Sequence, residues 1–98
     1  MDEQEISLSK SLRETSRRVA SLERQLKATE AKRELWEKRA SELRENLRRS
    51  IDDKTADAKT QLSLFRKTLT AEKKTKMWDE RVEALAHELD EIRAEFAL

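Results

Sequence analysis

The sequence has no glycine, no proline and no cysteine, and its only aromatic residues are Trp36, Phe65, Trp78 and Phe96. Without Gly or Pro, nothing in the chain demands a tight turn, a kink or a left-handed backbone conformation. Without Cys, disulfides, thiolate zinc sites and thiol nucleophiles are excluded together. No excess of one charge is present either: 22 basic against 21 acidic residues supplies no global field for nucleic acid. No apolar run approaches the ~18 residues needed to span a bilayer. The first residues, Met1-Asp2-Glu3-Gln4-Glu5, are acidic and unlike a secretory or mitochondrial presequence. These absences lead to the expectation of a cytoplasmic protein with no membrane span.

What the chain does have is charge, at 44% of 98 residues, against 36% hydrophobic residues. That supply of buried side chains is thin for a compact globule, whereas a long helix or coiled coil is rich in the same charged and aliphatic types. One heptad frame runs from Leu12 to the C-terminus without an insertion. Its a and d positions give the expected dimer seam: Leu12, Val19, Leu22, Leu26, Trp36, Leu43, Leu47, Trp78, Val82, Leu85, Leu89 and Ile92. Arg33, Lys54 and Gln61 at a, with Asp57 at d, read as register-setting polar positions, which cost stability but discriminate against wrong pairings. The expected fold is all-α, a long single helix roughly 150 Å long forming a parallel two-stranded coiled coil. The alternative is an antiparallel helical hairpin, with helices over 10–49 and 56–97 and a turn near 50–55. Charge pairs favour the parallel form: Arg18 with Glu23, Lys32 with Glu37, Lys67 with Glu72, Lys74 with Asp79 and Glu88 with Arg93 all place opposite signs at facing g and e positions. A hairpin closed at Asp57 would also set Trp36 and Trp78 at one level, where they would crowd.

The pattern divides the chain into a frayed polar N-terminus (1–11), a first coiled-coil half (12–49), a weak polar centre or hinge (50–61) and a second coiled-coil half (62–98). Through the centre a second apolar frame, one residue later, runs Ile51, Thr55, Ala58, Leu62, Phe65, Leu69. The apolar stripe is therefore expected to step sideways near residue 51 and return near residue 77, and Ser50-Ile51-Asp52-Asp53 reads as an N-cap that restarts a helix. The face carrying Leu62, Phe65 and Leu69 is wider than two strands need, which marks it as the expected partner contact.

Two phrases repeat forty-two residues apart. Leu35-Trp36-Glu37-Lys38-Arg39 returns as Met77-Trp78-Asp79-Glu80-Arg81, and Lys32 aligns with Lys74. On a single rod these would be two docking stations about 63 Å apart; in the seam, each Trp at d is a bulky register lock. Catalysis has no candidate group: His87, the one histidine, falls at the outermost heptad position, and a rod offers no concave, water-poor site to tune its carboxylates. No enzyme activity, cofactor, metal or small-molecule ligand is expected. The expected partner is the chain itself, as a homodimer or higher oligomer, together with another protein or a filament. Residues 59–76 are basic, but Phe65 is their only aromatic, which argues against nucleic acid.

Residues 13–49 resemble tropomyosin, the actin-binding coiled coil, in surface letters as well as seam. The carrying residues are Glu14, Arg17-Arg18, Leu22-Glu23, Leu26, Thr29-Glu30, Glu34-Leu35-Trp36-Glu37 and Ser41-Glu42-Leu43-Arg44-Glu45-Asn46-Leu47. The resemblance implies a parallel dimer lying along a filament, and a cytoskeletal role. This chain departs from that family in its near-neutral charge and in placing Trp and Arg in the seam. Trp78-Asp79-Glu80-Arg81-Val82-Glu83-Ala84-Leu85 is separately similar to small bacterial division-ring coiled coils. The function expected from these features is a non-enzymatic oligomerisation or scaffolding module for protein–protein interaction.

Overall fold

A computed structural model describes residues 3–54 and 56–96. Two helices account for nearly all of them: α1, Glu3–Asp52, and α2, Ala58–Phe96. No strand occurs among the described residues. The molecule is elongated, 80 × 16 × 14 Å, close to the roughly 75 Å that 50 helical residues span.

Both helices are built from strong helix formers and reinforced along their own surfaces. Glu3 and Glu5 lie in the first turn of α1 and Arg49 in its last, each matching the helix dipole. Near that end, Glu45 holds Arg48 at 2.7 Å and Arg49 at 3.2 Å, while Arg48 also reaches Asp52 at 3.3 Å. Helix α1 stops where Asp52 and Asp53 bring two acids to the negative end of the dipole. Its final hydrogen bond is Asp53 N–H to Arg49 O, 2.9 Å. Helix α2 starts at an N-cap: the Asp57 carboxylate accepts from the Thr60 backbone N–H at 2.7 Å. Ser50, expected to cap a restarted helix, instead lies inside α1, seven residues before that cap. Residues 3–11, expected to fray, belong to α1 and lie exposed.

The two helices run antiparallel against each other. Ion pairs Arg18–Glu88 (2.6 Å), Glu23–Arg93 (2.6 Å), Arg33–Asp79 (3.4 Å) and Arg44–Glu72 (3.3 Å) step down the length of the pair. Near the turn, Gln61 Nε2 donates to the Ser50 carbonyl at 2.9 Å. In place of one uninterrupted helix, the structure has two, separated by residues 53–57 and packed on one another.

The least exposed residues of each helix repeat at heptad spacing and meet where the helices pack. In α1 they include 15, 19, 22, 26, 29, 33, 36, 40, 43, 47 and 50; in α2 they include 61, 64, 68, 71, 75, 78, 82, 85, 89 and 92. Leu22, Leu89 and Ile92 form the buried cluster, with Val19, Leu26 and Leu85 packed around it. The seam keeps the first frame through the centre and does not step sideways. Gln61, Leu64, Thr68, Ala71 and Thr75 face α1, while Leu62, Phe65 and Leu69 stay exposed. Two physical facts make this frame workable. Ala40 and Ala71 are 2% and 1% exposed, so small side chains let the helices approach closely there. The buried hydroxyls of Thr29 and Thr68 donate to their own helix, to Gln25 O at 2.6 Å and Leu64 O at 2.7 Å, which satisfies them without a partner across the seam.

Candidate interaction surfaces

The repeated phrase meets itself across the hairpin. The register set by Val19–Ile92 and Leu22–Leu89 places Trp36 level with Thr75, and Trp78 level with Arg33. The two indoles are thus offset by one layer and do not crowd. On the flank beside them, Lys32 and Lys74 occupy facing positions where two like charges would oppose. Each lies instead over the indole of the opposite helix, Lys32 Nζ 4.8 Å from the Trp78 ring centre and Lys74 Nζ 4.3 Å from that of Trp36. Each indole also carries an arginine from its own helix, Arg39 at 4.7 Å and Arg81 at 5.9 Å. Lys32 and Lys74, Trp36 and Trp78, and Arg39 and Arg81 are equivalents in the repeat, so an approximate two-fold axis relates the halves of this cluster. Each lysine–indole contact is worth about 0.5–1 kcal/mol at such partly exposed positions. Two stations 63 Å apart would require a single rod; the fold brings them to one place.

Arg33 shows how a cation is tolerated in the seam. Its guanidinium leaves the layer sideways, with Nη1 3.4 Å from Asp79 and Nε 4.0 Å from Glu37. The Nε itself is buried and has no hydrogen-bond acceptor, so the ion pairs are what hold the head group.

The second feature is an apolar patch outside the seam. Leu62, Phe65 and Leu69 are 48%, 48% and 40% exposed, on one stripe of α2. The flank that pairs Glu23 with Arg93 and Arg44 with Glu72 places Ile51, 64% exposed, across from Phe65. Residues 59–76 around this patch carry six basic residues and a single acid, Glu72. The stretch expected to contact a partner is therefore open to solvent on a basic surface.

The remaining sequence-derived residues fall as follows. Val19, Leu22, Leu26, Trp36, Leu43, Leu47, Trp78, Val82, Leu85, Leu89 and Ile92 lie between α1 and α2, within one chain. Leu12 does not: it is 45% exposed, on the part of α1 that runs past the end of α2. Lys54 sits exposed in the turn. Asp57 acts as helix cap, and the hydroxyl and backbone N–H of Thr60 hold its carboxyl below the usual carboxylate range. Hydrogen bonding to Arg48 likewise holds Glu45 low, with Arg49 adding to the effect, and Glu45 in turn raises Arg48. The cap at Asp57 was missed in the sequence although an Asp directly before a helical run signals one. The buried Thr29, Ala40, Thr68 and Ala71 fall at a and d of the same heptad frame, but their weak apolarity kept them out of the expected seam.

His87 is exposed and meets Glu91 at 3.0 Å. No group of three or more metal-binding side chains occurs among the described residues. No described helix is long and apolar enough to cross a membrane. One groove along the helix pair, of about 340 Å³, is lined by Trp36, Leu43, Arg66, Lys67, Thr70 and Ala71, while others lie on the N-terminal part of α1 alone. No protein-family model, curated protein or solved structure matches this chain.

Proposed function

We propose that this protein is a non-enzymatic coiled-coil module that scaffolds protein–protein interaction and associates with itself. The observation that carries the reading is the division of its apolar residues. One set closes the seam between α1 and α2; a second set, Ile51, Leu62, Phe65 and Leu69, stays outside on a basic surface. A face of this kind suits an amphipathic helix whose apolar stripe is flanked by acids. Hydrogen exchange over residues 58–72, with an acid-flanked amphipathic helical peptide as probe, tests it. Protection that disappears in Leu62→Ser/Leu69→Ser supports the site. Equal protection from a basic-flanked peptide, or none from the acidic one, overturns it.

A second reading, a filament-building or filament-binding cytoskeletal protein, draws on the distribution of charge. Residues 35–76, around the turn, carry 12 basic and 7 acidic groups, a net of +5, so the remainder of the chain, with 10 and 14, carries −4. A rod polarised in this way attracts its neighbours end to end, an effect that salt screens. Sedimentation at low ionic strength, with and without actin filaments, tests this; material that stays in the supernatant in both cases ends it.

A further inference from the structure

The five residues between the helices have a property that a hairpin alone does not require. The heptad frame passes through them in phase: Ser50 closes the α1 seam at d, Gln61 opens the α2 seam at a, and Lys54 and Asp57 occupy the a and d positions between. A hairpin loop can have any length, because the chain reverses. Only if residues 53–57 became helical would the phase matter, since both seams would then lie on one stripe of a single continuous helix. Every residue in the loop can join a helix, for none is Gly or Pro.

We propose that the hairpin opens at residues 53–57 and that two copies re-pair as an antiparallel dimer, α1 of each chain packing on α2 of the other. This deepens the self-association reading above and rests on it. The seam and the ion pairs of the hairpin all re-form between chains, because the register is unchanged. What the exchange gives up lies in the turn and includes the hydrogen bond from Ala56 N–H to Asp53 O (3.2 Å) and the Asp57 cap on Thr60 (2.7 Å). In return, the loop residues form helical backbone hydrogen bonds.

The central layers favour this partner over the parallel one. The register that already brings Gln61 onto Ser50 continues inward to place Lys54 against Asp57 of the second copy, once on each side of the dimer axis. A parallel, in-register pair would instead stack Arg33 on Arg33, Lys54 on Lys54 and Asp57 on Asp57. Exchange of an identical element between copies adds little new interface, so the balance is set by the loop and by concentration.

The chain contains no cysteine, so introduced thiols report pairing without background. Ala40 and Ala71 are both buried at the same level of the seam. Single variants Ala40→Cys and Ala71→Cys are unfolded together, refolded at high concentration and oxidised. The proposal expects a cross-linked species of twice the 11.6 kDa chain mass in the mixture and not in either variant alone. The double variant Ala40→Cys/Ala71→Cys, oxidised at high dilution where each hairpin closes on itself, controls for folding and geometry. Cross-linking of Ala40→Cys with itself would overturn the antiparallel exchange in favour of a parallel dimer. A dimer mass by light scattering with no mixed cross-link would overturn the exchange while leaving self-association standing. A monomer mass at every concentration would overturn both. Inserting two glycines between Asp53 and Lys54 supplies the converse test. The insertion puts the two seams out of phase in an extended helix but leaves the hairpin free to close, so the dimer should vanish while helicity persists.

Discussion

The two ends of the hairpin use different physics. Toward the free ends, Val19, Leu22, Leu26, Leu85, Leu89 and Ile92 interdigitate into an aliphatic cluster. Toward the turn, the same heptad positions hold Ala40, Ser50, Gln61, Thr68 and Ala71, while Ile51, Leu62, Phe65 and Leu69 lie outside. One end thus uses its large apolar side chains to hold the helices together. The other interleaves Leu43, Leu47 and Leu64 with small and polar side chains and leaves Ile51, Leu62, Phe65 and Leu69 outside. The Trp–Lys–Arg cluster stands between them, at the changeover. The difference teaches that apolar content alone does not locate a seam; where helices approach closely, small and self-satisfied residues fill it.

The sharpest break of this contrast is Leu89→Ala. Leu89 is 2% exposed in the centre of the aliphatic cluster, so the substitution should cost about 2–4 kcal/mol through lost burial and a residual cavity, read by urea denaturation. Enlarging the small-residue end, with Ala71→Leu, should cost about 1–3 kcal/mol, because close approach leaves no room for added methylenes. If Ala71→Leu proves stabilising, the turn end is loosely packed and the contrast fails. A double-mutant cycle on Lys32→Ala and Trp78→Leu should return a coupling of about 0.5–1 kcal/mol. The cycle on Lys74→Ala and Trp36→Leu should return a similar value, since the repeat makes the pairs equivalent; unequal couplings would remove the approximate symmetry.

The smallest effect concerns the turn and depends on pH. The folded-state pKa of Asp57 is depressed by its hydrogen bonds to Thr60. A depressed carboxyl pKa contributes stability above the unfolded value that is lost as pH falls through the folded one. Acidification below the ordinary carboxylate range should therefore loosen the start of α2, visible as lower protection of the Thr60 and Gln61 amides relative to their intrinsic exchange rates at each pH. Asp57→Asn, which retains a capping oxygen but does not titrate, should flatten that dependence.

Helicity and heptad spacing were legible because they depend on residue type and period, which the chain carries in every stretch. Orientation was not. Arg18, Glu23, Glu88 and Arg93 satisfy a parallel pair as Arg18–Glu23 and Glu88–Arg93, and the hairpin as Arg18–Glu88 and Glu23–Arg93. The same four charges fit both, so counting pairs could not choose. The reversal of the chain was obscured because the break uses Asp residues and an N-cap in place of Gly or Pro. Ile51, Leu62, Phe65 and Leu69 read as an alternative seam because they are the most apolar residues nearby. The structure instead fills that position with Thr and Ala, whose small volume and internal hydrogen bonds suit close packing. Of the interaction surfaces, the patch was legible from Leu62, Phe65 and Leu69 alone. The cation–indole cluster was not, since its lysines and indoles come from opposite helices and require the antiparallel register.

Antiparallel pairing of α1 with α2 is the central claim, and an electron–electron resonance distance between spin labels at the exposed positions Arg24 and Asp90 tests it most directly. Helices packed 8–10 Å apart in this register predict a separation of roughly 20–30 Å once the labels are included. A distance near 100 Å with no shorter component, about what 66 residues of uninterrupted helix span, would contradict it.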